Sequence, residues 1–237
     1  MWLSKKIIVK NFSLQIKPGQ IVGLIGPNGS GKSTLLKALL RMIPLKTGKI
    51  LVDNKEAQNY AAKEYAQKIA YLPQYIMSEN EILVADYVAM GRYPYRSLFY
   101  DHQKPALIKA VMQDLHCRDL ADKRLSEISG GQRQRVSLAR ALVSEPEYLL
   151  ADEPTLNLDP GGVVQIFDLL QKIRQKFVCG MLIVSHQIDF VKKLCDQIVL
   201  FKDGVVIDKG APLSMTTSTR MQQLFAYDYK VETFSVK

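Results

Sequence analysis

A glycine-rich segment near the N-terminus limits the folds available to this 237-residue chain more than any other feature. It is Gly26-Pro27-Asn28-Gly29-Ser30-Gly31-Lys32-Ser33, which fits the pattern G-x-x-x-x-G-K-[ST]. The preceding residues 20–25 form an apolar run, and the pattern of residues 32–40 is helical and ends before Pro44. The order of strand, glycine-rich loop and helix is the context in which this pattern forms a phosphate-binding P-loop.

The chemistry of a P-loop gives a role to each residue type in this segment. Small residues let successive backbone N–H groups turn toward the β-phosphate of a nucleotide, and the helix N-terminus adds its positive end. We expect Lys32 to reach the β- and γ-phosphates and the Ser33 hydroxyl to bind Mg²⁺. The predicted nucleotide contacts are Gly26, Pro27, Asn28, Gly29, Ser30, Gly31, Lys32, Ser33 and Thr34.

A second segment ends in two carboxylates. Residues 148–151 are typical of a buried strand, and Asp152 and Glu153 follow at once. In P-loop proteins such a strand brings an aspartate beside the loop, where it helps to hold Mg²⁺. Glu153 is then the candidate general base that polarises the attacking water. Taken alone, the two acids also fit a solvated turn, but the P-loop favours the catalytic interpretation.

The net charge of +9 is confined to one part of the chain. Residues 1–52 contain nine Lys and Arg and no Asp or Glu, whereas residues 53–237 contain 23 charges of each sign. The basic stretch includes the predicted P-loop, so part of its charge is expected to face nucleotide phosphates. We therefore expect no nucleic-acid partner.

Composition and segment patterns exclude several other classes of protein. A hydrophobic content of 47% indicates an ordinary buried core rather than disorder. Cys117, Cys179 and Cys195 are widely spaced and form no CxxC pair, so we interpret them as buried packing residues in a reducing compartment. No apolar run approaches the ~18 residues of a membrane span, and no secretory signal is evident. The chain is therefore predicted neither to cross a membrane nor to be exported.

The remaining patterns predict a single domain over residues 1–237. We expect the strands to share one sheet, with an Asp203-Gly204 hairpin near its end. The mostly helical residues 75–140 are predicted to be an α-helical subdomain inserted between core residues 1–74 and 141–237. The predicted strands are 20–25, 49–52, 69–72, 148–151, 181–184, 198–201 and 205–207.

The segment Ile128-Ser129-Gly130-Gly131-Gln132-Arg133-Gln134-Arg135 resembles the signature motif of ABC ATPases. We call Ser129 to Gln132 the signature loop. The family's motifs follow in order: the P-loop, Gln74 after a strand, the signature loop, Asp152-Glu153, Asp159, and His186 after a strand. The resemblance covers nearly the whole chain. It implies an α/β fold with a P-loop NTPase (ABC ATPase) core sheet, an antiparallel β subdomain and the inserted α-helical subdomain.

The same resemblance implies a head-to-tail homodimer that holds two ATP molecules at its interface. Each ATP would lie between the P-loop of one copy and the signature loop of the other, where Ser129, Gly130, Gly131 and Gln132 would face the γ-phosphate. Gln74 would touch Mg²⁺ and the water, and His186 would sense the γ-phosphate. Asp159 would bridge the two sites. Helix N-termini at both faces of the anion are consistent with this arrangement.

The N-terminus departs from the family pattern. Members normally have a further strand, with an aromatic residue that stacks on adenine, about ten residues before a strand matching Asn11 to Ile16. Trp2 is the nearest aromatic residue here. Either Trp2 stacks on the base, or the true start lies upstream and a strand is missing.

Residues 84–99 resemble a segment of the importer ATPases for iron siderophores, haem and cobalamin, in which Gly-Arg-Tyr-Pro recurs. Here it is Gly91-Arg92-Tyr93-Pro94, and residues 224–231 resemble the ending of the same group. The resemblance implies that residues 92–99 line a groove for a short helix of a membrane permease, where Arg and aromatic residues are common anchors. It also implies a peripheral location on the cytoplasmic face of the cell membrane and, indirectly, a substrate-binding protein.

Two alternative functions remain from the sequence. An ABC exporter or lipoprotein-release ATPase would share every catalytic residue and differ only in its partner. A soluble ATPase acting on nucleic acid or ribosomes is disfavoured, because such chains carry a long coiled-coil insertion or a second ATPase domain that 237 residues do not accommodate. The transported substrate is not encoded in this chain.

Overall fold

Two β-sheets and nine α-helices make up the described part of the computed structural model, which covers residues 7–74, 81–96 and 104–225. The strands are β1 Ile21–Ile25, β2 Leu51–Val52, β3 Lys55–Glu56, β4 Ile69–Leu72, β5 Tyr148–Asp152, β6 Gly180–Val184, β7 Gln197–Lys202 and β8 Val205–Gly210. The α-helices are α1 Lys32–Leu39, α2 Ala62–Lys68, α3 Val84–Ala89, α4 Pro105–Asp114, α5 Gly130–Leu142, α6 Pro160–Phe177, α7 Ile188–Leu194, α8 Pro212–Met215 and α9 Ser218–Phe225. Short 3₁₀ helices span Ala57–Asn59, Met90–Tyr95, Arg118–Leu120 and Leu125–Glu127.

The main sheet has six strands in the order β4-β5-β6-β1-β7-β8. All neighbouring pairs are parallel except β7 and β8, which form the predicted hairpin across Asp203-Gly204. The carboxyl ends of β1, β4, β5 and β6 therefore meet at one edge, which is where α/β proteins bind their ligands.

Side chains of the central strand alternate between two apolar clusters. In β1, Ile21 and Ile25 belong to a cluster that includes residues of α5, α6 and α7. Val22 and Leu24 belong to a second cluster, which they share with Leu35 of α1. Successive strand residues point to opposite faces, so the main sheet is covered by helices on both sides. This explains why β1, β5, β6 and β7 are nearly continuous apolar runs in the sequence.

Two predictions about the strands were wrong. Leu51 and Val52 were expected in the main sheet, but they pair only with β3, in a separate antiparallel hairpin whose Val52 packs with Tyr60 and Tyr65. Residues 11–16 were expected to form a strand, but they form no strand pairing. Their apolar side chains instead pack against the α1 face of the main sheet, and the ring of Phe12 meets that of Phe201 edge-on with centroids 5.8 Å apart.

A short turn between α3 and α4 is packed tightly against the end of α5. We call Met90 to Arg96 the GRYP turn. A Cβ at Gly91 would lie 2.0 Å from the carbonyl oxygen of Arg140, because the two backbones are in close contact there. Glycine is therefore required at this position by packing.

Replacing Gly91 with alanine is expected to lower the free energy of unfolding by about 2–3 kcal/mol, since the turn has to move away from α5. Urea denaturation monitored by circular dichroism measures this change. Gly161→Ala is the control, because a Cβ there meets only ordinary contacts near the start of α6. Equal stability of the Gly91 and Gly161 variants would contradict the packing argument.

The three cysteines are buried, as expected from the sequence. Among the residues that the structure describes, no helix is long and apolar enough to cross a membrane.

Candidate functional site

The glycine-rich segment forms a loop between β1 and α1, as predicted. Gly29 and Gly31 have φ angles of +77° and +104°, a backbone region that favours glycine. Gly26 is required for a different reason, since a Cβ there would lie 1.9 Å from the carbonyl oxygen of Phe201. Asn28 and Gly29 are exposed, so the loop presents its backbone to solvent at the carboxyl edge of the sheet.

The side chain of Lys32 folds back over this loop. Its Nζ donates hydrogen bonds to the carbonyl oxygens of Gly26 at 2.8 Å and Pro27 at 2.9 Å. Burial lowers the pKa of this amine, and the nearby charges of Glu153 and Asp152 partly oppose that effect. An ammonium group that is held in place and weakly hydrated is well suited to bind an anion in the loop.

Two side chains with oxygen atoms lie beside the loop. The Ser33 hydroxyl is 3.5 Å from Oδ2 of Asp152, at the end of β5. Burial raises the pKa of Asp152, and the neighbouring Glu153 carboxylate raises it further, while Lys32 and Ser33 act in the opposite direction. A hydroxyl and a carboxylate are ligand types that Mg²⁺ prefers.

Glu153 is held by the last residue of β6 and by His186, which follows that strand. Its backbone N–H donates to the carbonyl oxygen of Val184 at 2.8 Å, and its Oε2 accepts from the backbone N–H of His186 at 3.2 Å. Oε2 also lies 2.9 Å from Nδ1 of His186. Glu153 is 7% exposed and has a φ of +49°, which is uncommon for a residue with a side chain. Uncommon backbone conformations of this kind are found most often at functional sites.

Gln74 lies at the same edge of the sheet. The register of β4 and β5 aligns Leu72 with Ala151, so Gln74, two residues beyond β4, is close to the level of Asp152 and Glu153. The structure thus brings together the P-loop, Gln74, Asp152, Glu153 and His186 at the carboxyl edge.

The signature loop begins α5 and faces away from the chain. The Ser129 Oγ accepts from the backbone N–H of Gln132 at 3.3 Å, and the Gln132 Oε1 accepts from the backbone N–H of Ser129 at 2.8 Å. This reciprocal capping box fixes the first turn of α5. Ser129 and Gly130 are exposed. The loop is therefore rigid and open to solvent, and no hydrogen bond described here joins it to the P-loop of its own chain.

Asp159 caps the following helix in the same manner. Its Oδ1 accepts from the backbone N–H of Gly162 at 2.6 Å, at the start of α6. A Cβ at Gly131 would lie 3.9 Å from Leu158, so the Asp159 segment adjoins the signature loop within one chain. Trp2 lies outside the described residues.

Sequence reasoning missed the support that the β7–β8 hairpin gives to the P-loop. Besides the approach of Phe201 to Gly26, the backbone N–H of Gly204 donates to the carbonyl oxygen of Ser30 at 2.9 Å. The hairpin lies about 170 residues after the loop, and no local pattern signals the contact. The strained φ of Glu153 was also not predicted.

One expectation about the GRYP turn was wrong. Arg92 was predicted among the residues that line a surface groove, but it is 1% exposed and its Nη1 donates to the carbonyl oxygen of Val143 at 2.9 Å. The guanidinium of Arg92 stacks on the ring of Tyr95, with its Cζ 3.7 Å from the ring centroid. This stacking keeps the guanidinium away from the surface. Tyr93 is 50% exposed, and residues 97–99 of the segment lie outside the described residues.

A protein-family model described as ABC transporter matches residues 9–156, more than half of the chain. The chain belongs to the ABC transporter family of ATPases. The resemblance of the signature motif and the predicted fold class are thereby confirmed, and this protein is an ATP-binding ABC ATPase.

Relatives and solved structures agree with this membership. The petrobactin import ATP-binding protein YclP of Bacillus subtilis is 31% identical over 228 residues, which are 96% of this chain and 90% of that protein. A transporter described as being of metal-chelate type, in an inward-facing conformation, has a TM-score of 0.78 at 30% identity, covering 92% of this chain and 82% of that one. The dimeric bacterial cassette MJ0796 has a TM-score of 0.75 at 27% identity, covering 89% and 94%.

Proposed function

We propose that this ABC ATPase powers uptake of a metal chelate, an iron siderophore, haem or cobalamin, through a separate permease. The observation that carries the proposal is the GRYP turn, which is held firmly on α5 and leaves the aromatic ring of Tyr93 exposed. An aromatic side chain on a rigid support is a suitable anchor for a partner helix. Similarity to YclP, which is named for petrobactin import, supports the direction of transport.

The site geometry supports specific roles for the residues at the carboxyl edge. In this proposal residues 26–34 hold the phosphates, with Lys32 neutralising the charge that develops on the γ-phosphate. Glu153 polarises the attacking water. His186 orients Glu153 through the 2.9 Å contact between its Nδ1 and Oε2 of Glu153, and it also senses the γ-phosphate. Gln74 contacts the metal and the water from the end of β4.

The residues present fit a magnesium ion. Ser33 and Asp152, whose oxygens are 3.5 Å apart, would hold the ion together with phosphate oxygens and waters. The ion would neutralise phosphate charge, and the charge of the ion would favour the ionised form of Asp152 against the burial that raises its pKa.

The outward-facing signature loop supports a head-to-tail homodimer. Ser129 and Gly130 are exposed at the start of α5, so the nucleotide of a second copy could reach the loop. Ser129, Gly130, Gly131 and Gln132 would then contact ATP across the interface, and Asp159 would join the two sites. The solved MJ0796 cassette, which is similar to this chain, is described as dimeric.

The remaining assignments follow from this role. The protein would lie on the cytoplasmic face of the cell membrane, bound to the permease and working indirectly with a substrate-binding protein. The division into core residues 1–74 and 141–237 with a helical insertion at 75–140 stays a prediction, as does stacking of Trp2 on adenine.

Uptake in a strain that lacks the gene tests the proposal. Accumulation of radiolabelled ferric siderophore, haem and cobalamin is measured with and without a plasmid copy of the gene. We expect uptake of one chelate to fall to background in the deletion strain and to return with the wild-type gene. Unchanged uptake of all three chelates, with a defect in export or lipoprotein release, would contradict import.

Replacing Tyr93 with alanine in the same assay tests the permease contact. We expect uptake to fall about tenfold or more, as for removal of an interface anchor worth about 2 kcal/mol. Leu213→Ala, which removes an exposed apolar side chain from α8, is the control and should leave uptake unchanged. Equal uptake by the two variants would show that Tyr93 is not an anchor.

A further inference from the structure

A buried arginine and a half-exposed glutamate join the GRYP turn to the point where α5 ends and the path to β5 begins. Nη1 of Arg92 lies 3.1 Å from Oε2 of Glu145, and the same oxygen lies 2.8 Å from Nζ of Lys104, before α4. Glu145 itself has a φ of +52°, a sharp backbone reversal between helix and strand. One carboxylate thus connects three segments of the chain.

We call the meeting point of Arg92, Lys104 and Glu145 the joint. Backbone contacts strengthen it. Arg92 donates to the carbonyl oxygen of Val143, and the Tyr95 hydroxyl donates to that of Ser144 at 2.7 Å. Val143 and Ser144 directly follow α5, so no later N–H of the helix can donate to their carbonyl oxygens. The close approach of Gly91 to Arg140 leaves no room for the turn to slide along α5.

The joint is attached to both halves of the proposed ATP site. From it, α5 runs back over 13 residues, about 20 Å at 1.5 Å per residue, to the signature loop. In the other direction, β5 begins at Tyr148 and ends at Asp152, directly before Glu153. A displacement of the turn would therefore act on α5 and on β5 at the same time.

The charges explain why the joint behaves as one unit. Removal of Arg92 from water is costly unless its charge is paired, so the guanidinium holds Glu145 firmly. The hydrogen bond from Lys104, together with the charges of Lys104 and Arg92, lowers the pKa of Glu145. The carboxylate consequently stays ionised and paired at neutral pH.

We propose that Arg92 and Glu145 are positioning residues. Through them, a partner's contact at the GRYP turn changes the orientation of the signature loop and of Glu153. The partner's role rests on the proposed function, but the mechanical link within the chain does not. Removing the Glu145 charge leaves the buried Arg92 guanidinium without its carboxylate, which loosens the contact between the turn and the end of α5 and leaves the P-loop untouched.

Steady-state ATPase kinetics of the purified full-length protein test the link. For Glu145→Gln we expect kcat to fall about fivefold, the size of effect typical of coupling residues, with KM for ATP within about twofold of wild type. Glu147→Gln is the matched control. It lies two residues away with similar exposure, and it pairs with Lys68 rather than with the GRYP turn. It should leave both kinetic constants within about twofold of wild type.

Amide hydrogen exchange supplies a second readout that a general loss of stability would not reproduce. We expect Glu145→Gln to speed exchange at residues 129–133 and in the GRYP turn, with little change in β1 and α1. If the Arg92→Met variant folds, it should show the same exchange pattern. If it does not fold, the Glu145→Gln variant still tests the proposal. Identical kinetics and exchange for the Glu145 and Glu147 variants, or a uniform increase of exchange across the chain, would overturn the proposal. Failure of the uptake assay alone would contradict the proposed function and leave these results unaffected.

Discussion

Replacing Lys32 with alanine is expected to weaken ATP binding about 10- to 100-fold. The Nζ of Lys32 lies over the loop on two carbonyl oxygens, and a charge-assisted contact to phosphate in a partly buried site contributes about 1.5–3 kcal/mol. Titration calorimetry of the purified protein with ATP measures the loss. ATP hydrolysis should fall in parallel because the occupied site is required for it.

Lys109→Ala is the matched control for this substitution. Lys109 is an exposed lysine of α4 and is not among the predicted nucleotide contacts, so its removal should leave the Kd for ATP unchanged. Circular dichroism and the melting temperature establish that the Lys32 variant remains folded. Wild-type affinity in a folded Lys32 variant would show that the nucleotide does not occupy this loop.

Replacing Glu153 with glutamine is expected to lower kcat at least about 100-fold while ATP binding is retained. The amide has the shape of the carboxylate and can still accept from the backbone N–H of His186, so the local structure is preserved. It cannot take a proton from water, and general bases contribute about 10²–10⁴ in rate. Phosphate release measures the rate, and calorimetry measures the binding.

Glu147→Gln at the opposite end of β5 is the control for the Glu153 variant. It removes one carboxylate from the residue before β5 without touching the carboxyl edge, so hydrolysis should continue at nearly the wild-type rate. Rapid turnover by Glu153→Gln would end the assignment of Glu153 as the base. Loss of ATP affinity in that variant would instead indicate a binding role.

Local sequence patterns predicted the elements that depend on near neighbours. The strand, loop and helix around residues 26–31, the buried strand that ends at Asp152 and the Asp203-Gly204 hairpin are confirmed with nearly the predicted bounds. In each, glycine positions or apolar periodicity determine the backbone over fewer than twenty residues.

Features that depend on distant contacts were not predicted. The burial of Arg92 depends on the end of α5, some fifty residues later, and nothing in Gly-Arg-Tyr-Pro distinguishes a buried arginine from an exposed one. Leu51 and Val52 were assigned to the wrong sheet because a two-residue strand carries no signal for its partner. The positive φ of Glu153 accompanies hydrogen bonds to Val184, the last residue of β6, and to His186, two residues beyond it, about thirty residues away in sequence.

The mass of the Glu153→Gln protein in the presence of ATP and Mg²⁺ tests the central claim most directly, which is that two chains enclose two ATP molecules. Size exclusion with light scattering should give twice the 26.8 kDa of one chain, with one ATP per chain, and the dimer should disappear when Ser129→Arg is added. A particle of 26.8 kDa with bound ATP, or a dimer that persists with Ser129→Arg, would contradict the account.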